Sequence, residues 1–319
     1  MTKTARFLES ELEELPARQC RFQVIPVPFE ASVSYGRGAA RGPAAILEAS
    51  SQLEVWTGRC IPSREGIYTW PSVEVEGGPE DVLARIEEAV ARAVSSAAAP
   101  VPDNSSLGSA LLRQKADPLP ILLGGEHTVS LGALRALKKF YGDFGIIQFD
   151  AHADLRSSYA GSAYSHACVM RRAIEDLGLP LFQIGVRSLS LDEEILRAEG
   201  NIPHLDAREL HSGAWSSPAP AHFSSASAPP GLSLLPPSFP DIVYLSFDID
   251  ALDASLMPAT GTPEPGGLFW FQALDLVERA LAGRVCLGFD VVELAPIPGM
   301  HAPNYTAARL VHEIMGIIG

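Results

Sequence analysis

Two short apolar runs, FGIIQF (Phe144–Phe149) and IVYLSF (Ile242–Phe247), stay apolar on both alternating faces. A strand with one wet face alternates apolar and polar residues. Runs like these therefore belong in a sheet covered on both sides, as parallel strands are when helices pack over each face. Further β-rich runs recur at Arg21–Val27, Gly66–Trp70, Leu119–Leu123, Leu181–Val186, Ile202–Leu205 and Arg284–Phe289. Segments with helical periodicity lie between them: Pro43–Glu54, Pro79–Ser95, Val129–Tyr141, His166–Leu177, Leu191–Glu199, Leu268–Leu281 and Thr306–Ile318. Such alternation predicts an α/β chain with one doubly wound, parallel sheet. The 319 residues, 47% of them hydrophobic, suffice for a large core, and the reading is one domain over 1–319.

Two stretches interrupt the pattern. Residues 96–118 and 212–240 are rich in Ser, Ala and Pro. Small residues bury little and proline removes an amide donor, so both read as surface loop insertions rather than as a domain boundary.

Charge narrows the partners. Acids outnumber Lys and Arg by 38 to 24, for a net charge of −14. Such a surface repels phosphate backbones and anionic membranes, which argues against nucleic-acid and membrane partners and suits a small cation. The four cysteines are scattered without a C-x-x-C pair, as in a reducing compartment. No apolar run approaches the roughly 18 residues of a membrane span. The first residues, MTKTARFLESELEEL, lack the basic and apolar segments of a signal peptide. A cytoplasmic protein is expected.

Ligands of open α/β sheets gather at the carboxyl ends of the strands. Three such ends carry metal-ligating residue types. Leu119–Leu123 runs into GGEHT, which contains His127. Phe144–Phe149 runs into DAHAD, with Asp150, His152 and Asp154. Ile242–Phe247 runs into DID, with Asp248 and Asp250. Alternate residues of an extended chain point to one side, so each set can converge. Singly, a D-x-D or a lone loop histidine means little, and Asp253 reads as a turn former. Together the clusters would repel unless cations sat among them. Carboxylate-rich ligation with two imidazoles and no thiolate suits Mn²⁺, and a metal pair can lower the pKa of a bridging water to supply hydroxide. Two glycine-rich segments bind no nucleotide by their spacing: Gly261–Gly267 lacks a following Lys-Ser/Thr, and in SYGRGAARGP Arg41 stands where a dinucleotide fingerprint needs its third glycine.

GGEHTVS, FDAHADLR and SFDIDALDAS resemble the three metal-binding signatures of the ureohydrolase family of arginases and agmatinases. The resemblance runs from Ser34–Pro43 to the last helix, outside the two insertions. It implies a three-layer α/β/α sandwich around an eight-stranded, mostly parallel sheet, and two Mn²⁺ per subunit. One ion would take His127, Asp150, Asp154 and Asp248; the other would take Asp150, His152, Asp248 and Asp250. It further implies that His166, in YSHACVMRR, is a catalytic proton shuttle and that Glu293, in FDVVELAP, binds the guanidinium. Alone, His166 would read as a helix-terminal residue and Glu293 as an ordinary ion-pair partner. Trimers or hexamers are expected by the same analogy.

Substrate choice turns on the residues after DAHAD. Where arginases carry an asparagine two places on, this chain has Arg156. Together with SYGRG and FDVVELAP this places it nearer agmatinases, and agmatine, giving putrescine and urea for polyamine biosynthesis, is the first expectation. A guanidinium at Arg156 could instead hold an acidic tail. Guanidinobutyrate, formiminoglutamate, arginine and N1-aminopropylagmatine therefore stay open, as does a metal-binding regulator that keeps the fold without catalysis. Of the remaining histidines, His204, His211, His222, His301 and His312 have no convergent partners in the sequence, with His301 the one nearest in sequence to Glu293.

Overall fold

The computed structural model describes residues 5–96, 117–212 and 234–319. Eight strands form one sheet: β1 (Phe22–Val27), β2 (Ile67–Thr69), β3 (Leu119–Gly124), β4 (Gly145–Phe149), β5 (Leu181–Ile184), β6 (His204–Leu205), β7 (Ile242–Asp248) and β8 (Val285–Val292). Their order is β2-β1-β3-β8-β7-β4-β5-β6, and every pairing is parallel. Registers such as Val24↔Ile121, Ile121↔Phe289 and Ile147↔Leu245 bring the carboxyl ends of the strands to one edge.

The doubly apolar runs behave as their composition requires. Ile121, Leu123, Ile147, Phe149, Leu245 and Phe247 enter one hydrophobic layer, with residues of α1 (Gly42–Ser50), α7 (Trp270–Leu281) and α8 (Ala302–Ile318). Leu122, Ile146 and Tyr244 point the other way, into a layer with α2 (Pro79–Val94), α3 (Ser130–Tyr141) and α4 (Val169–Leu177). Alternate side chains of one strand thus feed opposite layers, and the result is an α/β/α sandwich. Two short helices, α5 (Leu191–Glu199) and α6 (Ala207–His211), complete the described set. Helix starts have local causes: Pro43, Pro79 and Pro303 sit in first turns, where no amide donor is needed. Ser190 and Glu193 form a reciprocal capping box at α5.

The expected elements are all present, most with shifted ends; α5 keeps the expected Leu191–Glu199, and α6 adds to the expected set. Edge strands β2 and β6 are shorter than expected, having only one pairing neighbour each. β8 runs three residues past the expected end at Phe289, because Asp290, Val291 and Val292 pair with Ser246, Phe247 and Asp248 of β7. Helix α8 starts at Ala302 instead of Thr306. The Ser/Ala/Pro stretches lie largely outside the described residues. Of their flanks, Leu235 and Phe239 are buried, and Phe239 meets Phe182 edge-on at 6.1 Å, so residues 234–240 belong to the body of the fold.

Candidate metal centre

The carboxyl ends of β3, β4 and β7 open onto one cleft. His127 follows β3 in a short 3₁₀ turn; Asp150, His152 and Asp154 follow β4; Asp248 ends β7 and Asp250 lies in the next turn. The structure brings all six together. His127 Nδ1 lies 3.1 Å from Asp150 Oδ2, 3.0 Å from Asp154 Oδ2 and 3.4 Å from Asp248 Oδ2. His152 Nδ1 lies 3.0 Å from Asp250 Oδ2 and 3.6 Å from Asp150 Oδ1. The sets His127–Asp150–Asp154 and Asp150–His152–Asp250 each have the spacing to hold a metal ion, and Asp150 belongs to both.

Electrostatics make these residues poor company on their own. Burial pushes Asp248 well above the carboxylate range and Asp154 up to about 7, with neighbouring Asp charges adding to the effect. Burial opposes the charge on His152 and His127, yet the surrounding aspartates outweigh it, holding His152 at about 12 and His127 well above its ordinary value. Burial likewise opposes Asp150, but the two histidines pull it below the usual carboxylate range. In the absence of cations, protons must occupy a cluster built of acids. The buried His127 Nδ1 has no hydrogen-bond partner while three carboxylate oxygens face it. That donor set fits divalent cations.

Backbone and side-chain bonds hold the acids in place. Asp150 accepts from the His152 amide at 2.6 Å and from Gln148 Nε2 at 2.7 Å, and Gln148 is itself held by Gln183 at 2.6 Å. Asp250 accepts from the Ala151 amide at 2.9 Å, tying the ends of β4 and β7 together. Behind His127, Nε2 lies 2.8 Å from Ser246 Oγ, which donates to Asp290 Oδ1 at 2.9 Å; Tyr244 donates to the other Asp290 oxygen at 2.9 Å. Asp154 and Glu293 both adopt positive φ, 53° and 66°, a strain that non-glycine residues carry mostly at functional sites.

Glu293 follows β8 directly and lines the same cleft, its Oε1 accepting the His127 amide at 2.7 Å. Burial raises its pKa to about 8. His166 sits across the cleft, its Nδ1 3.0 Å from Ser32 Oγ and its Nε2 2.9 Å from Ser34 Oγ; burial lowers its pKa. Val33, Ser34 and Thr260–Thr262 roof a narrow inner chamber of about 20 Å³. It continues into an outer chamber of about 210 Å³ bordered by Arg156, Tyr159, Ser188, Ser190 and Glu193. Arg156 stacks on Tyr159 and lies 3.9 Å from Glu193 Oε2, beyond hydrogen-bond range. Asp253 accepts from the Ser255 amide, as a turn former does, but also from the Gly266 and Gly267 amides at 2.7 and 3.0 Å, pinning the roof loop.

Several contributors escape a sequence reading. Glu126, Ser32, Ser246, Asp290 and Arg187 are ordinary residue types whose partners lie far away in the chain, so no spacing reveals them. Arg187 donates to the carbonyls of Gly185, Asp250 and Glu264, lacing two strand ends to the roof loop. Among the other histidines, His301 is exposed at the start of α8 and lines neither chamber. His204 and His211 bond backbone carbonyls, His312 is buried, and His222 lies outside the described residues.

Known proteins resemble this chain over most of its length. An N(1)-aminopropylagmatine ureohydrolase from Synechocystis sp. is 34% identical over 98% of this chain and 94% of its own length. An agmatinase from Pyrococcus horikoshii is 30% identical over 98% of both chains. The crystal structure of an agmatine ureohydrolase from Thermoplasma volcanium superposes with a TM-score of 0.77 at 27% identity, covering 99% of this chain and 95% of that one. No helix among the described residues is long and apolar enough to cross a membrane. The sequence matches the arginase family over residues 20–316, and with its sheet order and strand-end acids the chain belongs to that family of ureohydrolases.

Proposed function

We propose that the protein is a binuclear manganese hydrolase that releases urea from a guanidinium-tipped polyamine, with N1-aminopropylagmatine the first substrate and agmatine the second. His127, Asp150, Asp154 and Asp248 would hold one ion; Asp150, His152, Asp248 and Asp250 would hold the other. Such a pair supplies Lewis acidity and makes a bound water acidic enough to yield hydroxide near neutral pH. Glu293 orients the substrate: Oε1 is committed to the His127 amide, and the other oxygen faces the Gly261 loop as an acceptor for a planar guanidinium. His166 takes up a proton at the cleft wall and delivers it to the departing amine.

The observation that carries the substrate choice is the outer chamber, which opens from the inner one through shared walls at Ser34, His152, Asp154, His166 and Thr262. It gives room for a tail longer than four carbons; the buried carboxylate of Glu193 in its wall is already held by the Leu155 and Ser190 amides and the Ser190 hydroxyl. The aminopropylagmatine ureohydrolases among its relatives support the same choice. Agmatine, first in the sequence reading, keeps a place because Arg156 borders the chamber and opposes each added ammonium. A urea-release screen with Mn²⁺ across N1-aminopropylagmatine, agmatine, guanidinobutyrate and arginine tests this. The expected order of kcat/KM is as written for the first two, with both above the acids. Guanidinobutyrate ahead of both amines would assign Arg156 to a substrate carboxylate, and no urea from any of them would favour a non-catalytic role.

A further inference from the structure

Glu126, beside the ligand His127, faces away from the metal cluster. Its side chain is fully buried and accepts four hydrogen bonds. Oε2 takes the Ala31 and Ser32 amides, each at 2.6 Å; Oε1 takes Ser32 Oγ at 3.0 Å and Thr128 Oγ1 at 2.7 Å. Ser32 is also the residue that meets His166. Its Oγ lies 3.0 Å from His166 Nδ1 and accepts the His166 amide at 3.1 Å.

Counting protons decides what this arrangement does. A serine hydroxyl has one proton, and a carboxylate can only accept. The Ser32 proton therefore goes to Glu126, leaving Ser32 Oγ an acceptor toward His166. Ser165 Oγ also lies 3.3 Å from Nδ1 but can donate or accept, so the nearer Ser32 Oγ, with its own proton committed, decides: the neutral ring carries its proton on Nδ1. Nε2 is left bare, accepts from Ser34 Oγ at 2.9 Å, and belongs to a residue that lines both chambers. Ser34 alone could not impose this, since its hydroxyl can donate or accept.

We propose that Glu126, acting through Ser32, is a positioning residue that fixes His166 with its proton on Nδ1 and keeps Nε2 as the atom that exchanges protons with the leaving amine. This rests on the assignment of His166 as the proton carrier. It adds a second duty to the loop Glu126 anchors: besides roofing the chamber, the loop selects an imidazole tautomer.

Ser32→Ala is the first test, because both backbone bonds to Glu126 survive while the hydroxyl is lost, and with it the acceptor of the His166 amide, which the threonine variant restores. In the Mn²⁺-loaded full chain, with N1-aminopropylagmatine and agmatine as substrates, kcat should fall about tenfold, a part of the roughly 10²–10⁴-fold that a positioned proton carrier contributes. KM should stay within twofold and metal content unchanged. Ser32→Thr, which keeps a hydroxyl, should recover most of the rate, and Glu126→Gln should show the same kcat loss. In a His166→Asn background Ser32→Ala should cost nothing more. Nitrogen-15 NMR of histidine-labelled protein loaded with diamagnetic Zn²⁺ should show His166 protonated on Nδ1 in the wild type and losing that preference in Ser32→Ala. The proposal is overturned by a wild-type kcat in Ser32→Ala, by a loss that persists undiminished in the His166→Asn background, or by an unchanged tautomer. His166→Asn with wild-type turnover would instead remove the proton-carrier assignment itself and the proposal with it.

Discussion

At His127 the two ring nitrogens have opposite duties. Nδ1 faces the carboxylates, while Nε2 meets Ser246, which is backed by Asp290 and Tyr244. Partners of this kind orient a metal-binding imidazole and typically carry 10–100-fold in affinity. Ser246→Ala should accordingly weaken Mn²⁺ binding by about that factor in a metal titration, and unchanged affinity would refute the relay. Glu293→Gln keeps shape and loses charge. The fall in kcat/KM should be worth about 1.5–3 kcal/mol, as for a hydrogen bond to a charged group, with urea release as the measurement. His312 lies apart from the cleft, fully buried, with neither ring nitrogen hydrogen-bonded; burial and Arg309 lower its pKa to about 4. Its unfolded-state pKa is near 6.5, so this contribution to stability is complete above that value and is lost as pH falls toward 4, at most about 3 kcal/mol. His312→Leu should therefore lose less stability than wild type between pH 7 and 4 in denaturant titrations; equal losses would contradict the assignment. The six ligand-type residues are legible in sequence because each sits at a strand end with spacing that converges. Ser246, Asp290 and Glu126 are not, since a buried serine or acid acquires meaning only through partners far along the chain.

Elements were easier to read than their ends. Apolar runs mark every strand of the sheet and helical periodicity most of the helices between them, whereas where each stops depends on neighbours. β8 extends because β7 lies alongside to pair with Asp290–Val292, and that extension is what delivers Glu293 to the cleft. The glycines of GGEHT have a comparable tertiary cause. A Cβ on Gly125 would stand 2.0 Å from the Phe29 carbonyl oxygen, where the exits of β1 and β3 cross. Backbone cannot yield there as a flexible side chain would. Gly125→Ala should cost 3 kcal/mol or more, at or beyond the upper end of typical overpacking, seen as a lowered Tm. A variant as stable as wild type would show that the two loops can part without penalty.

For the molecule as a whole, cations and charge count together. Removing metal with EDTA should lower Tm, and Mn²⁺ at a hundredfold excess over its Kd should return about 2.7 kcal/mol by mass action; an unchanged Tm would mean that the cluster holds no ion tightly. A net charge of −14 concentrates a polycationic substrate near the surface. KM for an amine substrate should therefore rise with ionic strength, more for the longer amine than for agmatine, and a salt-independent KM would argue against that steering. Strand order carries one more consequence, for how the chain comes together. β2, β1 and β3 form one half of the sheet and β7, β4, β5 and β6 the other, and β8, latest in chain order among the described strands, lies between them. His127 rides on the first half, the five aspartate and histidine neighbours on the second, and Glu293 on the wedge itself. Among the described strands only β8 pairs with both halves, so a chain truncated before Val285 has no strand pairing to hold His127 against the other five ligand-type residues.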